Sequence, residues 1–230
     1  LVKVVQSVQK KIFIKSTPER VWRALTQADE RNAWETRSCE MDIRIGGQVT
    51  LDYGWGASYV GTIIELEEEQ KLVLQGNDKQ LTTWTITSEA DGVLVSIEYT
   101  GSWAGDIGLM EMDNMLFGTY QFMLNLKSVL EKEVDLRKNF WKSWIGVLHR
   151  TVDKREGTKV VQVIASTPAD GLLEVDDVIT AVNGNTVQCY DDLESYVFSC
   201  DPGQNLIISL IRDGQELPVS LHTIGFGHSN

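Results

Sequence analysis

The chain has 230 residues, 42 % of them apolar, with a formal net charge of −12. That length fits one large domain or two small ones, and the apolar content is enough for a core in each. Residues 1–134 hold 13 Lys+Arg against 20 Asp+Glu and residues 135–230 hold 8 against 13, so both parts repel a phosphate backbone, and nucleic acid and anionic membrane surfaces are disfavoured as partners.

The chain opens LVKVVQSVQKKIFIKS, where Lys3, Lys10 and Lys11 interrupt the apolar residues and no small-residue cleavage site follows. This does not read as a signal peptide, although the first residue is Leu1 rather than Met. No run of 18 apolar residues occurs, so no membrane span is expected. Cys39, Cys189 and Cys200 form no CxxC pair. A sparse, odd count fits a reducing compartment, and a cytoplasmic location is expected.

Residues 2–14 form the first strand-like run, ending Ile12-Phe13-Ile14. Thr17 then offers an N-cap and Pro18 a first helical position, with Val21, Ala24, Leu25 and Ala28 at helical spacing. A second short helix is expected at 29–34. Met41, Ile43 and Ile45 alternate as a strand up to a tight Gly46-Gly47 turn, beyond which Val49, Leu51 and Tyr53 alternate again. Further strands are expected at 59–66, 71–76, 81–88 and 93–100, with Asn77-Asp78 and Asp91-Gly92 as turns. Residues 109–134 read as one long helix whose apolar side chains cover an arc of roughly 200°, wider than the ~100° stripe of a surface helix, so deep burial is expected.

The charged segment 131–139 ends that helix, and 135–141 reads as a linker. The strand pattern then restarts at 145–150, 158–164, 177–182, 206–212 and 216–222. A helix is expected over 191–199 with Asp191 as its cap, and Asp213-Gly214 as a hairpin turn. The fold class is α+β: an antiparallel meander with a long helix over 1–134, then a small β-rich domain over 142–230.

The ordered pieces T-P-E-R-V-W-R-A-L-T, Trp34, I-G-G-Q-V, Y-V-G-T-I-I-E-L, W-T-I-T and the long final helix make residues 8–133 resemble the START/SRPBCC helix-grip superfamily. The resemblance is to the branch similar to activators of the ninety-kilodalton heat-shock chaperone. It implies a curved antiparallel sheet gripping the C-terminal helix, often around an apolar cavity. The second domain, through W-I-G-V at 144–147, T-P-A-D-G-L-L-E-V-D-D-V-I-T-A-V-N-G at 167–184 and the Asp213-Gly214 hairpin, resembles a PDZ domain of the bacterial HtrA-like kind: a small β-barrel or sandwich with one or two helices. It departs from the commoner glycine-aspartate pair by having Asp176-Asp177. It also lacks a histidine at the start of the groove helix, where Asp191 and Asp192 stand.

The resemblance assigns Trp144, Ile145, Gly146 and Val147 to a carboxylate-binding loop. The chemistry agrees, since a terminal carboxylate needs convergent N–H donors, and Gly146 lets the backbone turn and approach closely. Leu148 and His149 on the following strand, with Leu193, Tyr196 and Val197 on the helix, would form the peptide groove. The alternative is an ordinary loop in which Trp144 and Ile145 plug the core. In the first domain, Trp34, Tyr53, Trp55, Tyr59, Trp84, Tyr99, Trp103, Leu116 and Tyr120 are candidates to line a cavity for an apolar small molecule, or else simply fill the core.

No nucleophile, metal or phosphate-loop motif stands out, and no cofactor or catalytic residue is assigned. His149, His222 and His228 all fall in the second domain. The expected function is a non-enzymatic, two-module binding protein. One module holds an apolar ligand or client protein, and the other binds the C-terminal peptide of a partner. A co-chaperone activating a heat-shock chaperone ATPase and a cavity enzyme of the cyclase or hydrolase type are the alternatives.

Overall fold

The computed structural model describes residues 4–227; Val2 and Lys3 of the first expected strand, and His228, lie outside the described residues. The chain divides into two compact units, one of residues 5–102 with 118–138, the other of 103–117 with residues from 139 onward. The expected boundary at 134 therefore leaves residues 103–117 among the first-domain residues, whereas they pack with the second unit.

The first unit is built on seven strands: β1 (Val4–Ile14), β2 (Ser38–Met41), β3 (Gln48–Asp52), β4 (Ser58–Glu67), β5 (Lys71–Gly76), β6 (Leu81–Glu89) and β7 (Gly92–Ala104). They form one antiparallel sheet in the order β1-β7-β6-β5-β4-β3-β2, a meander closed by β1 pairing with β7. Helices α1 (Pro18–Thr26) and α2 (Ala28–Asn32) follow β1, and α3 (Gly105–Lys132) follows β7. Thr17 caps α1, its Oγ1 accepting from the Arg20 N–H at 3.2 Å, with Pro18 at the first position. Val21, Trp22, Ala24 and Leu25 form the buried face of α1. A Val or Leu buried in this way contributes about 1.5–3 kcal/mol.

Two expectations change. Strand β2 ends at Met41, so Ile43 and Ile45 lie in the turn, with Ile45 exposed. Gly47 has its reason here: a Cβ would sit 1.9 Å from the Asp42 carbonyl oxygen. The long helix starts at Gly105 rather than 109, and its broad apolar arc is only partly buried. Phe117, Phe122, Met123 and Leu126 are buried, whereas Leu109, Met112, Leu116 and Val129 are half-buried. Residues 105–117 of α3 pack with one unit and 118–132 with the other.

Glycines in the middle of strands find their explanation in register. Gly61 on β4 stands opposite Gly76 on β5, and the Tyr59 ring lies against both. A Cβ on Gly61 would meet the Tyr59 hydroxyl at 2.5 Å, so the glycine makes room for the ring. Asn125 of α3 is fully buried and satisfied. Its Nδ2 donates to the carbonyl of Trp34 at 2.7 Å and to Asp135 Oδ1 at 3.0 Å, and its Oδ1 accepts from the Leu136 N–H at 2.6 Å. Arg137 donates to the carbonyls of Thr36 and Ala33. The first residues of the expected linker are thus bonded into the first unit.

The second unit contains β8 (Ser143–Trp144), β9 (Val147–Thr151), β10 (Thr158–Val163), β11 (Val178–Val182), β12 (Asn185–Thr186), α4 (Tyr190–Ser199), β13 (Asn205–Arg212), β14 (Gln215–His222) and β15 (Ile224–Gly225). The main sheet runs β14-β13-β11-β10-β9 with β12 on β11, leaving β9 at an edge; β8 pairs with β15. Asn183-Gly184 and Asp213-Gly214 turn with positive φ at both residues (48° and 78°, 51° and 77°), as tight two-residue hairpins require. Helix α4 starts one residue earlier than expected. Asp192, not Asp191, secures its start by accepting from the N–H groups of Gln188 and Cys189.

The departure at Asp176-Asp177 is accommodated locally. Asp176 takes the left-handed conformation (φ 76°) that a glycine would adopt without a Cβ penalty. Asp177 is buried and takes a two-point contact from Arg212, Nε to Oδ1 and Nη2 to Oδ2, both at 2.7 Å. It also accepts from the Glu174 N–H at 2.8 Å. This ties the 172–177 loop to the end of β13.

Candidate functional site

The W-I-G-V stretch forms a loop between β8 and β9 in which only glycine fits. Gly146 has φ +93°, and a Cβ there would lie 1.9 Å from Thr167 Oγ1 and 2.2 Å from its Cβ. The Ile145 carbonyl accepts from the Ala169 N–H at 3.1 Å, and the Gly146 carbonyl from the Ile164 N–H at 2.9 Å. In a planar trans peptide the N–H points opposite to the carbonyl. The N–H groups of Gly146 and Val147 are therefore turned away from the 164–169 loop. Two adjacent N–H groups aimed outward beside an edge strand can hold an anion such as a carboxylate.

The pleat puts Val147, His149 and Thr151 on one face of β9 and Leu148 and Arg150 on the other. Ile145, Val147, Leu193 and Val197 are all buried in one apolar cluster of the second unit. His149 is 1 % exposed. Its Nε2 lies 2.8 Å from Glu194 Oε1, and its ring stacks on Tyr190 at 4.3 Å. Its Nδ1 is buried without a hydrogen-bond partner. The structure thus brings together Ile145, Gly146, Val147, His149, Leu193 and Val197. Tyr196 packs against the same cluster while its hydroxyl accepts from Asn183 Nδ2, whereas the Trp144 ring packs on Phe226 and Leu148 lies on the opposite face of β9.

Tyr190 and Glu194 escape a sequence reading that starts the helix at Asp191. The one signal was a tyrosine four residues before a glutamate, a single turn apart on one helix face. Burial pushes the Tyr190 hydroxyl above its ordinary value, with the nearby Glu194 and Asp113 charges adding to the effect, so it stays protonated as a donor.

In the first unit the aromatic candidates form two groups. Trp34 and Trp84 meet edge to face at 6.2 Å, with the Arg31 guanidinium over both rings. Arg31 is 1 % exposed; its Nε donates to Glu35 Oε2 at 2.6 Å and its Nη1 to the Leu25 carbonyl at 2.8 Å. Tyr53 and Trp55 pack with Phe122, which the sequence reading left out, and Trp55 stacks on it at 6.1 Å while remaining 58 % exposed.

Tyr53 and Tyr99 are held protonated by burial, with the Glu35 charge adding to the effect. The Tyr99 hydroxyl lies 2.9 Å from Thr119 Oγ1, and the Tyr59 hydroxyl is buried beside Thr82 without a well-formed hydrogen bond. Trp103 and Leu116 belong to the other unit, and the Tyr120 ring faces Lys10. An open cleft of about 500 Å³ lies elsewhere, lined by Pro18, Glu67–Lys71 and Thr85–Ser88, away from these aromatics. Among the described residues, no cluster of His, Cys, Asp and Glu is placed to hold a metal, and no helix is long and apolar enough to cross a membrane.

A profile of the activator of Hsp90 ATPase homolog 1-like proteins matches residues 15–131, and a PDZ-domain profile matches residues 143–223. The chain is similar to the solution structure of the Aha1 dimer from Colwellia psychrerythraea, with a TM-score of 0.50 and 19 % identity, over 56 % of this chain and 98 % of that one. Protein SSP2350 from Staphylococcus saprophyticus gives a TM-score of 0.50 and 17 % identity, over 56 % and 94 %. These low identities speak to the fold alone.

Protease Do-like 7 of Arabidopsis thaliana is 34 % identical over 85 residues, and a probable periplasmic serine endoprotease DegP-like of Hahella chejuensis (strain KCTC 2396) is 32 % identical over 91. Each match covers 35 % of this chain, which spans only 8 % and 19 % of those relatives' lengths. The chain belongs to the activator of Hsp90 ATPase homolog 1-like family through residues 15–131, and carries after it a PDZ domain resembling those of HtrA and DegP proteases.

Proposed function

We propose that the chain is a two-module binding protein whose PDZ domain takes the free C-terminus of a partner. The observation that carries this is the Gly146 loop, which turns the N–H groups of Gly146 and Val147 outward beside the edge strand β9. A partner's last residues add to β9 as an extra strand, with the final side chain directed at the apolar cluster of Ile145, Val147, Leu193 and Val197. The net charge of −12 favours encounter with basic partners. Charge-assisted hydrogen bonds contribute roughly 1.5–3 kcal/mol each, so amidating a bound peptide is expected to weaken it at least about tenfold. Titration of free and amidated forms of the same peptides checks this, and equal affinities rule out the carboxylate role.

The first module is proposed to hold a flat, largely apolar molecule or a client segment. The exposed Trp55 over Phe122 and Tyr53 supports this reading. A ligand stacking there is expected to shift Trp55 emission, and a Trp55→Phe variant to lose that response. No change across a panel of lipids, polyketides and aromatic compounds argues for a filled core. The Tyr53 and Tyr99 hydroxyls, held protonated by burial, are available as hydrogen-bond donors to such a ligand. Family membership supports a second reading, activation of an Hsp90-type chaperone. Stimulation of a purified chaperone ATPase by the full chain would establish it.

A further inference from the structure

We propose that residues 106–117 of α3 form a built-in stop at the far end of the PDZ groove, so that the groove reads only the last four residues of a partner chain. The inference rests on the C-terminal-peptide reading above and adds a length limit to it.

All the contacts lie within the second compact unit. Asp113 Oδ2 accepts from the Thr151 backbone N–H at 2.7 Å. That N–H is the last of the outward-facing donors on β9, where an added strand would place a carbonyl. Asp106 accepts from Arg150 Nε at 2.6 Å and Lys159 Nζ at 2.5 Å, spanning the directly opposed pair on β9 and β10. The Tyr190 hydroxyl donates to Asn114 Oδ1 at 3.0 Å, and the Phe117 ring packs 6.0 Å from Tyr190 and 5.9 Å from Phe198. Asp106, Asp113 and Phe117 are seven and four residues apart, within about 40° of one line along a helix and over ~16 Å. One stripe of α3 thus meets both the end of β9 and the first turn of α4.

The length follows from strand periodicity. In an antiparallel pair, every second residue exchanges hydrogen bonds with its partner. With the carboxylate at the N–H groups of Gly146 and Val147, the residue two before the end pairs with His149. The residue four before the end would pair with Thr151, whose donor Asp113 already holds. The final residue and the three before it fit, and the next meets a carboxylate.

The test uses the full chain and acetylated oligoalanine peptides ending in leucine with a free carboxylate, three to eight residues long. Affinity for the natural sequence is expected to rise up to four residues and then stay flat. In Asp113→Ala/Phe117→Ala it is expected to rise by a further fivefold or so between four and six residues, two strand hydrogen bonds being gained. Asp113→Asn, which keeps an acceptor, is expected to behave as the natural sequence does. Without peptide, the Thr151 amide is expected to be protected from hydrogen exchange in the natural sequence and to lose protection in Asp113→Ala. An equal gain with length in both proteins, or an unprotected Thr151 amide in the natural sequence, overturns the stop while leaving the peptide reading intact. Failure of every peptide to bind either protein overturns the peptide reading, and the stop with it.

Discussion

Replacing Glu35 by Leu is expected to destabilise the first unit by about 3–5 kcal/mol, the cost of leaving a buried charge unpaired. Arg31 is 1 % exposed, so without Glu35 its Nε and Nη2 lose their acceptor while Nη1 keeps only the Leu25 carbonyl. Arg31→Met is expected to cost less, because the Glu35 side chain is 11 % exposed against 2 % for Arg31 and its carboxylate can still reach water. The double variant Arg31→Met/Glu35→Leu is expected to lie closer to the natural sequence than either single change, since an apolar pair needs no desolvation of charge.

Hydrogen exchange followed over residues 5–102 separates this unit from its neighbour and measures all three. Additive losses in the double variant would show that the pair does not act as a unit. The Trp34 indole, which donates to the Ala24 carbonyl at 2.8 Å beneath the guanidinium, is a natural local probe.

Gly146→Ala is the second large effect. A non-glycine residue at positive φ costs about 1–2 kcal/mol. The added Cβ also lands on Thr167 Oγ1 and Cβ, and rotating the Thr167 side chain relieves only part of that overlap. The 164–169 loop must shift, and it carries the two N–H groups, of Ile164 and Ala169, that fix the peptides whose N–H groups, of Gly146 and Val147, point outward. We expect a loss of roughly 2–4 kcal/mol in the second unit and at least about tenfold weaker peptide binding. Adding Thr167→Gly is expected to return part of the stability, because it removes the collision and leaves the strained φ. Unchanged peptide affinity in Gly146→Ala would separate the loop from recognition.

The succession of strands in the meander, the capped α1, the Asp213-Gly214 hairpin and the glycine of the W-I-G-V loop were legible because each is set by neighbours in the chain. Alternation of period two, a threonine ahead of a proline, or a residue pair that tolerates positive φ carries its meaning within a few positions. Alternation alone carries Ile43 and Ile45 on as a strand, because nothing within a few positions reveals that Gly47 lets the Asp42 carbonyl close the turn early. The broad apolar arc of α3 likewise implies deep burial, whereas Leu109, Met112, Leu116 and Val129 are half-buried.

Composition, periodicity and turn chemistry therefore determined two β-rich modules, a long helix between their strands and a glycine that breaks the strand pattern at 146; the carboxylate role of that loop is what the PDZ resemblance implies. Only the tertiary structure decided which partners meet. It set Glu35 and two tryptophans around Arg31, Glu194 and Tyr190 around His149, and Asp113 on the Thr151 amide 38 residues away. Such contacts depend on the packing of separate elements, and a charged residue on a helix reads the same in sequence whether it faces water or ends a binding groove.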